Sequence, residues 1–174
     1  MRLFIITFLF FVLSINVYAN DKNEVNDITF GYGGSSENID IFKLSIKKDL
    51  NKYFFENRYK YLPKYYEASL GYWEAQNGGN IKSISFTPMF RYEFEQYYES
   101  VPYIELGIGV TYISERELEG EDFGTHFQFE DVIGLGFKFL DLDLSYRYIH
   151  YSNAGMNSNS AYIDFQMISI SYEF

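Results

Sequence analysis

A period-two alternation runs through nearly all of this chain and narrows what it can fold into more than any other feature. Between Tyr103 and Tyr112, Ile104, Leu106, Ile108, Val110 and Tyr112 share one face, and Glu105, Gly107, Gly109 and Thr111 the other. Phe42, Leu44 and Ile46 oppose Lys43, Ser45 and Lys47, and Tyr66, Ala68, Leu70 and Tyr72 oppose Glu67, Ser69 and Gly71. Ile84, Phe86 and Phe90 oppose Ser83, Ser85, Thr87 and Arg91. Phe127, Phe129, Ile133, Leu135, Phe137 and Phe139 oppose Gln128, Glu130, Gly134, Gly136 and Lys138. Leu142, Leu144, Tyr146 and Tyr148 oppose Asp143, Ser145 and Arg147. With Ile28, Phe30 and Tyr32 near the start and Ile168, Ile170, Tyr172 and Phe174 at the end, the rhythm predicts eight strands. A soluble sandwich also alternates, but its polar face is the wet outside. Here Gly, Ser and charges of both signs make the narrow face, while aromatic and aliphatic side chains cover the other. That inversion predicts an all-β, eight-stranded antiparallel transmembrane β-barrel, apolar toward lipid and polar within. Eight strands leave a lumen that side chains can fill. Lys43, Lys47, Arg91, Lys138 and Arg147 against Glu67, Glu105, Glu130 and Asp143 would close it with ion pairs, so no pore is expected.

The first residues fix the compartment in which such a barrel would sit. Arg2 precedes an apolar run from Leu3 to Leu13, and Val17-Tyr18-Ala19 offers small residues where a signal peptidase cuts. The run is short of the ~20 residues that span a bilayer. The expectation is a signal peptide at 1–19, with an outer-membrane barrel at 20–174. Aromatics form 21% of the chain, and many Tyr and Phe fall near strand ends, where interface girdles are expected. The terminal Tyr172-Glu173-Phe174 resembles the aromatic C-terminus by which outer-membrane barrels are recognised for assembly. With both termini periplasmic, Gly33–Asp40, Gln76–Asn80, Ser114–Thr125 and Ser152–Ala161 become outer loops. Leu140-Asp141 becomes a tight inner turn, and Asn51–Lys64 an inner connection of undefined form. The net charge of −10 without a basic run excludes a nucleic-acid partner. Zero cysteines exclude disulfides, a thiolate nucleophile and any Cys-based zinc or iron–sulfur site, and two histidines cannot by themselves build a three-His metal site; no metal or organic cofactor is expected.

One group of residues breaks the apolar rule of the lipid face. The alternation puts His150 and Ser152 on the same outward side as Tyr146 and Tyr148, and Asp164 on the outward side of the last strand. Ionisable groups facing a membrane are costly and mark function by default. A serine becomes nucleophilic beside a base, and the base needs a third group to fix its tautomer. Two residues along a strand are ~7 Å apart at Cα, so an imidazole and a hydroxyl leaning together can meet. The plain alternative is a girdle histidine, because His-x-Ser alone is a weak pattern. His126, beside the acidic stretch Glu115–Asp122, reads as loop packing. A two-residue turn at Leu140-Asp141 would set Asp131 directly across from His150, and Phe129 across from Ser152. Two aspartates, Asp131 and Asp164, therefore compete for the acid's place.

The run His150-Tyr151-Ser152-Asn153-Ala154-Gly155, with an acidic residue ten before the C-terminus, resembles the lipid A 3-O-deacylase family of PagL-like acyloxyacyl hydrolases. Gly71-Tyr72-Trp73 and Phe127-Gln128-Phe129-Glu130-Asp131 also look family-like. The resemblance implies an outer-membrane esterase that removes an ester-linked 3-hydroxyacyl chain from lipid A with a Ser-His-acid triad. It implies His150 as base, Ser152 as nucleophile, and Asn153 with the Gly155 backbone N–H as oxyanion hole. It also implies Asp164 as acid, where the family usually has the longer Glu, which leaves Asp131, from the register, as a supporting or rival partner. A further loop asparagine of the family corresponds to Asn157 or Asn159. The implied partners are lipid A or lipopolysaccharide of the outer leaflet and the surrounding outer-membrane lipid, with a homodimer left open. The rival reading is a non-enzymatic barrel serving as an anchor or adhesin through its acidic outer loops.

Overall fold

The computed structural model describes residues 27–49, 64–156 and 161–174. The expected signal peptide at 1–19 and residues 51–63 of the expected inner connection lie outside the described residues. Eight long strands form: β1 (Asp27–Gly34), β2 (Ile39–Asp49), β3 (Lys64–Ala75), β4 (Asn80–Glu93), β5 (Ser100–Ile113), β6 (Phe127–Phe139), β7 (Leu142–Ser152) and β8 (Ile163–Glu173). Each pairs antiparallel with its chain neighbours. β1 closes the sheet on β8, from Asp27↔Glu173 to Gly34↔Gln166. Closure leaves no edge strand with unpaired backbone groups, the condition for crossing a bilayer with strands.

The outward face is apolar around the whole circumference, with Leu70, Ile84, Ile108, Ile133 and Ile168 all more than half exposed. The β6–β7 turn falls at Leu140-Asp141, and Phe139 pairs with Leu142 as the two-residue turn requires. The β5–β6 outer loop holds more order than a plain loop. Glu117–Leu118 and Glu121–Asp122 pair into a small ribbon. Glu119 and Gly120 turn it with φ of 55° and 84°, the left-handed pair that a two-residue hairpin demands.

The lumen has two unlike halves. On the periplasmic side Arg147 contacts Glu67 at 2.9 Å and Glu105 at 2.7 Å, and Arg91 contacts Glu105 at 3.0 Å and Asp143 at 2.7 Å. Gly134 makes this possible: a Cβ there would come within 3.1 Å of both Glu105 and Arg147 side chains. Lys138 is a correction to the expected plug. It pairs with Glu173 at the rim, half exposed, rather than entering the lumen. The outer half departs further from expectation, because it is an apolar plug. Trp73, Phe123, Tyr151 and Phe165 pack with Ile39, Ile41, Ile81, Ile113 and Ile149, all at 0% exposure. Several aromatics near strand ends therefore belong to this core and not to the girdle. Both faces are apolar there, so alternation no longer separates inside from outside.

Candidate active site

At the outer ends of β7 and β8 the inward residues Ile149, Tyr151, Ile163 and Phe165 enter the plug. Their sequence neighbours must then face outward. His150 and Asp164 are direct partners in the β7–β8 ladder. His150 Nδ1 and Asp164 Oδ1 lie 2.6 Å apart, with side chains 32% and 28% exposed. A carboxylate accepting from Nδ1–H leaves Nε2 as the basic nitrogen and holds the ring plane. The Tyr162 ring packs beside the imidazole, with centroids 5.4 Å apart. Direct cross-strand pairing thus brings the short aspartate side chain within reach of the imidazole.

Ser152 ends β7 on the same face, partly exposed. It pairs with Phe129 of β6, whereas the ladder to β8 begins one residue earlier, at Tyr151↔Ile163. Among the described residues, no hydrogen bond joins Ser152 Oγ to the imidazole. Asp131 stands across from His150 on the β6 side and is exposed. Both flanking positions expected for carboxylates are thus occupied, and it is Asp164 that bonds the ring.

Beyond Ser152 the chain turns through Ala154 and Gly155, with φ of 51° and 77°. Asn153 is 2% exposed. Its Nδ2 donates to the Phe123 carbonyl at 3.3 Å, and its Oδ1 accepts from the Gly155 N–H at 3.0 Å. Both groups named for an oxyanion hole are therefore engaged with each other or with the β5–β6 loop. That loop holds the far end of the β7–β8 loop as well, where Ala161 N–H donates to the Asp122 carbonyl at 2.7 Å. Asn157 and Asn159 lie outside the described residues. His126 is held apart, with Nδ1 at 2.8 Å from the Ile113 carbonyl and its ring stacked on Tyr112. Sequence reasoning gave no role to Tyr151, the inward residue between His150 and Ser152; the only signal was its place in the alternation. Among the described residues, no group of three or more His, Cys, Asp and Glu side chains is arranged to hold a metal ion.

A closed eight-stranded barrel belted with apolar side chains, with a bonded His–Asp pair and a serine set into that belt, has the form of an outer-membrane hydrolase. Comparison with known proteins specifies it further. A family model described as lipid A 3-O-deacylase (PagL) matches residues 41–173. The lipid A deacylase PagL of Pseudomonas aeruginosa is 35% identical over 133 residues, covering 75% of this chain and 76% of that protein. The protein of the same name from Bordetella bronchiseptica is 34% identical over 112 residues, covering 62% of this chain and 61% of its own. The crystal structure of the outer membrane enzyme PagL superimposes with a TM-score of 0.76 at 31% identity, covering 85% of this chain and 99% of that one. Neisserial surface protein A, at 14% identity and a TM-score of 0.51, shares the fold alone. The chain belongs to the lipid A 3-O-deacylase (PagL) family. It is an integral outer-membrane enzyme that hydrolyses ester bonds, which sets aside the reading of a non-enzymatic anchor.

Proposed function

We propose that the chain is exported by a signal peptide at residues 1–19, and that the barrel at 20–174 removes the 3-O-linked hydroxyacyl chain of lipid A through a Ser152–His150–Asp164 triad. The observation that carries this reading is the 2.6 Å contact between His150 Nδ1 and Asp164 Oδ1 on the lipid-facing side of the barrel's outer end. Lipid A lies in the leaflet that this face meets, so substrate enters laterally and needs no channel. In the proposed reaction Ser152 Oγ attacks the ester carbonyl carbon while its proton passes to His150 Nε2. The tetrahedral intermediate collapses, and the imidazolium returns that proton to the departing sugar oxygen. Water then attacks the acyl-serine ester with His150 as base again, which frees the 3-hydroxy acid. Asp164 holds the imidazole's tautomer and balances its positive charge in each half-reaction. The carbonyl oxygen becomes the oxyanion, a charge assigned in this reading to Asn153 and the Gly155 N–H, which must give up their bonds to the Phe123 carbonyl and to Asn153 Oδ1 to reach it.

Mass spectrometry of lipid A tests the proposal, using cells that carry the wild-type chain, Ser152→Ala or neither. Loss of one 3-hydroxyacyl mass with the wild-type chain alone is expected. Unchanged lipid A with wild-type protein in the outer membrane would overturn the substrate. Full deacylation by Ser152→Ala would overturn the nucleophile.

A further inference from the structure

The serine of the proposed triad sits where a sheet holds its residues least firmly. Ser152 is the last residue of β7 and pairs with β6 only, since the β8 ladder starts at Tyr151. Its side chain faces outward and is partly exposed. The well-packed neighbour that can set the position of its backbone lies on the inward face. The inward neighbour that lies between base and nucleophile is Tyr151, at 0% exposure. The Tyr151 ring packs on Trp73 with centroids 4.8 Å apart and meets Phe165 at 5.9 Å. Its hydroxyl donates to Glu130 Oε2 at 2.6 Å, and Glu130 is its direct cross-strand partner. That carboxylate is itself fixed, taking Lys43 Nζ at 2.7 Å on both oxygens and Thr87 Oγ1 at 2.7 Å. One buried phenol thus links the strand carrying both reacting groups to an ion pair that spans the lumen.

We infer that Tyr151 is a positioning residue for the reaction, and that its bond to the Lys43-held Glu130 sets the spacing of His150 and Ser152 from inside the barrel. The inference rests on the triad reading above. It has a physical requirement behind it, because proton transfer from serine to imidazole needs near-contact geometry, and a misplacement of ~1 Å can cost ~10²-fold in rate. Substrate is bound on the other face of the strand, so Tyr151 acts on turnover and not on affinity.

Removing only the hydroxyl keeps the ring in its aromatic socket. In the purified, detergent-folded full barrel, Tyr151→Phe is expected to lower kcat roughly tenfold with KM within twofold, since a displacement well below 1 Å suffices for that loss. Labelling of Ser152 by a fluorophosphonate, which involves no lipid A, should slow by a similar factor. Tyr65→Phe is the matched control. Tyr65 is 3% exposed and donates its hydroxyl to Glu105 at 2.7 Å in the periplasmic half. It loses the same kind of bond far from the site, and its kcat per folded barrel should stay native. Equal losses of kcat in both variants would mean a general effect on the barrel and would overturn the inference. So would a native kcat and labelling rate in Tyr151→Phe. Ser152→Ala run beside them separates the two levels: if it remains active, the triad reading itself fails, whereas an inactive Ser152→Ala beside a native Tyr151→Phe refutes the positioning role alone.

Discussion

Along the inward face of β7 run Asp143, Ser145, Arg147, Ile149 and Tyr151, none more than 5% exposed. Along its outward face run Leu142, Leu144, Tyr146, Tyr148, His150 and Ser152. Both faces carry charge-bearing groups, but under different constraints. Inside, Arg147 is met by Glu67 and Glu105, and Asp143 by Arg91 and the Tyr103 hydroxyl. These groups have exchanged water for counter-charges and hydrogen bonds, as buried ions must. Outside, His150 and its partner Asp164 fill no cavity and neutralise no lumen charge. A polar pair on the lipid-facing side, bonded to each other and not to the lumen network, is the mark of a candidate functional site. Polarity in such a chain therefore becomes informative only once the face is known. On the proposed reading, the same strand dedicates one face to stability and, at its outer end, the other to reaction.

The sharpest way to break that division is to separate activity from folding. Ser152→Ala should lower deacylation by about 10⁴-fold or more, the scale of losing a nucleophile that acts as a unit with its base. The heat-modifiable gel shift that marks a folded barrel should remain. Co-loss of the folded band would place Ser152 with the inward, structural residues. Asp164→Asn comes next, with a loss of about 10³–10⁴-fold in kcat, because the amide cannot hold the Nδ1–H tautomer or balance the imidazolium. Native turnover in Asp164→Asn would leave the His150–Asp164 contact without a catalytic role.

The inward face should give the opposite result. Arg147→Met removes the guanidinium that Glu67 and Glu105 share and leaves Glu105 with Arg91 alone. Truncating one partner of a buried ion pair costs about 3–5 kcal/mol. The urea midpoint of unfolding should fall accordingly, while kcat per folded barrel stays within about twofold. A large loss of kcat with unchanged stability would show that the lumen network reaches the site, and the two faces would no longer be separable.

The legibility of this division in the sequence follows its physics. Mid-strand, one face meets lipid and the other meets charge, so the contrast is maximal and alternation assigns Lys43, Glu67, Glu105 and Arg147 to the lumen directly. The pairing of these charges was not legible. Whether Arg147 meets Glu67 depends on the stagger of strands 80 residues apart in the chain. Lys138 illustrates the limit: its face is inward, but its height puts it at the rim beside Glu173. Toward the outer end Ile39, Trp73, Ile149 and Phe165 make the inner face as apolar as the outer, and the plug disappears into what reads as an aromatic girdle. His150, Ser152 and Asp164 stand out as candidates because they are polar where both faces are otherwise apolar. The β7–β8 register was the part that a long loop concealed. The structure supplies it as Asp164↔His150.

That register leaves Asp131 as the finest test of the comparison. It flanks His150 from β6 as directly as Asp164 does from β8, and opposed side chains have Cβ atoms about 5 Å apart. Position alone therefore makes the two carboxylates equivalent. Bonding separates them, because Nδ1 bonds a single carboxylate and Asp164 Oδ1 lies 2.6 Å from it. What remains for Asp131 is a through-space influence on the imidazolium, exerted from an exposed side chain and screened accordingly. Asp131→Asn should lower kcat by no more than about fivefold, in line with the ~0.2–1 kcal/mol of an exposed charge interaction. Two residues that do not share one function should also combine additively, so Asp131→Asn in the Asp164→Asn background should cost the same small factor, within ~0.5 kcal/mol. A much larger loss there than in the wild-type background would mean that Asp131 takes over when Asp164 is gone. The outer face would then hold two interchangeable acids rather than one acid and one bystander.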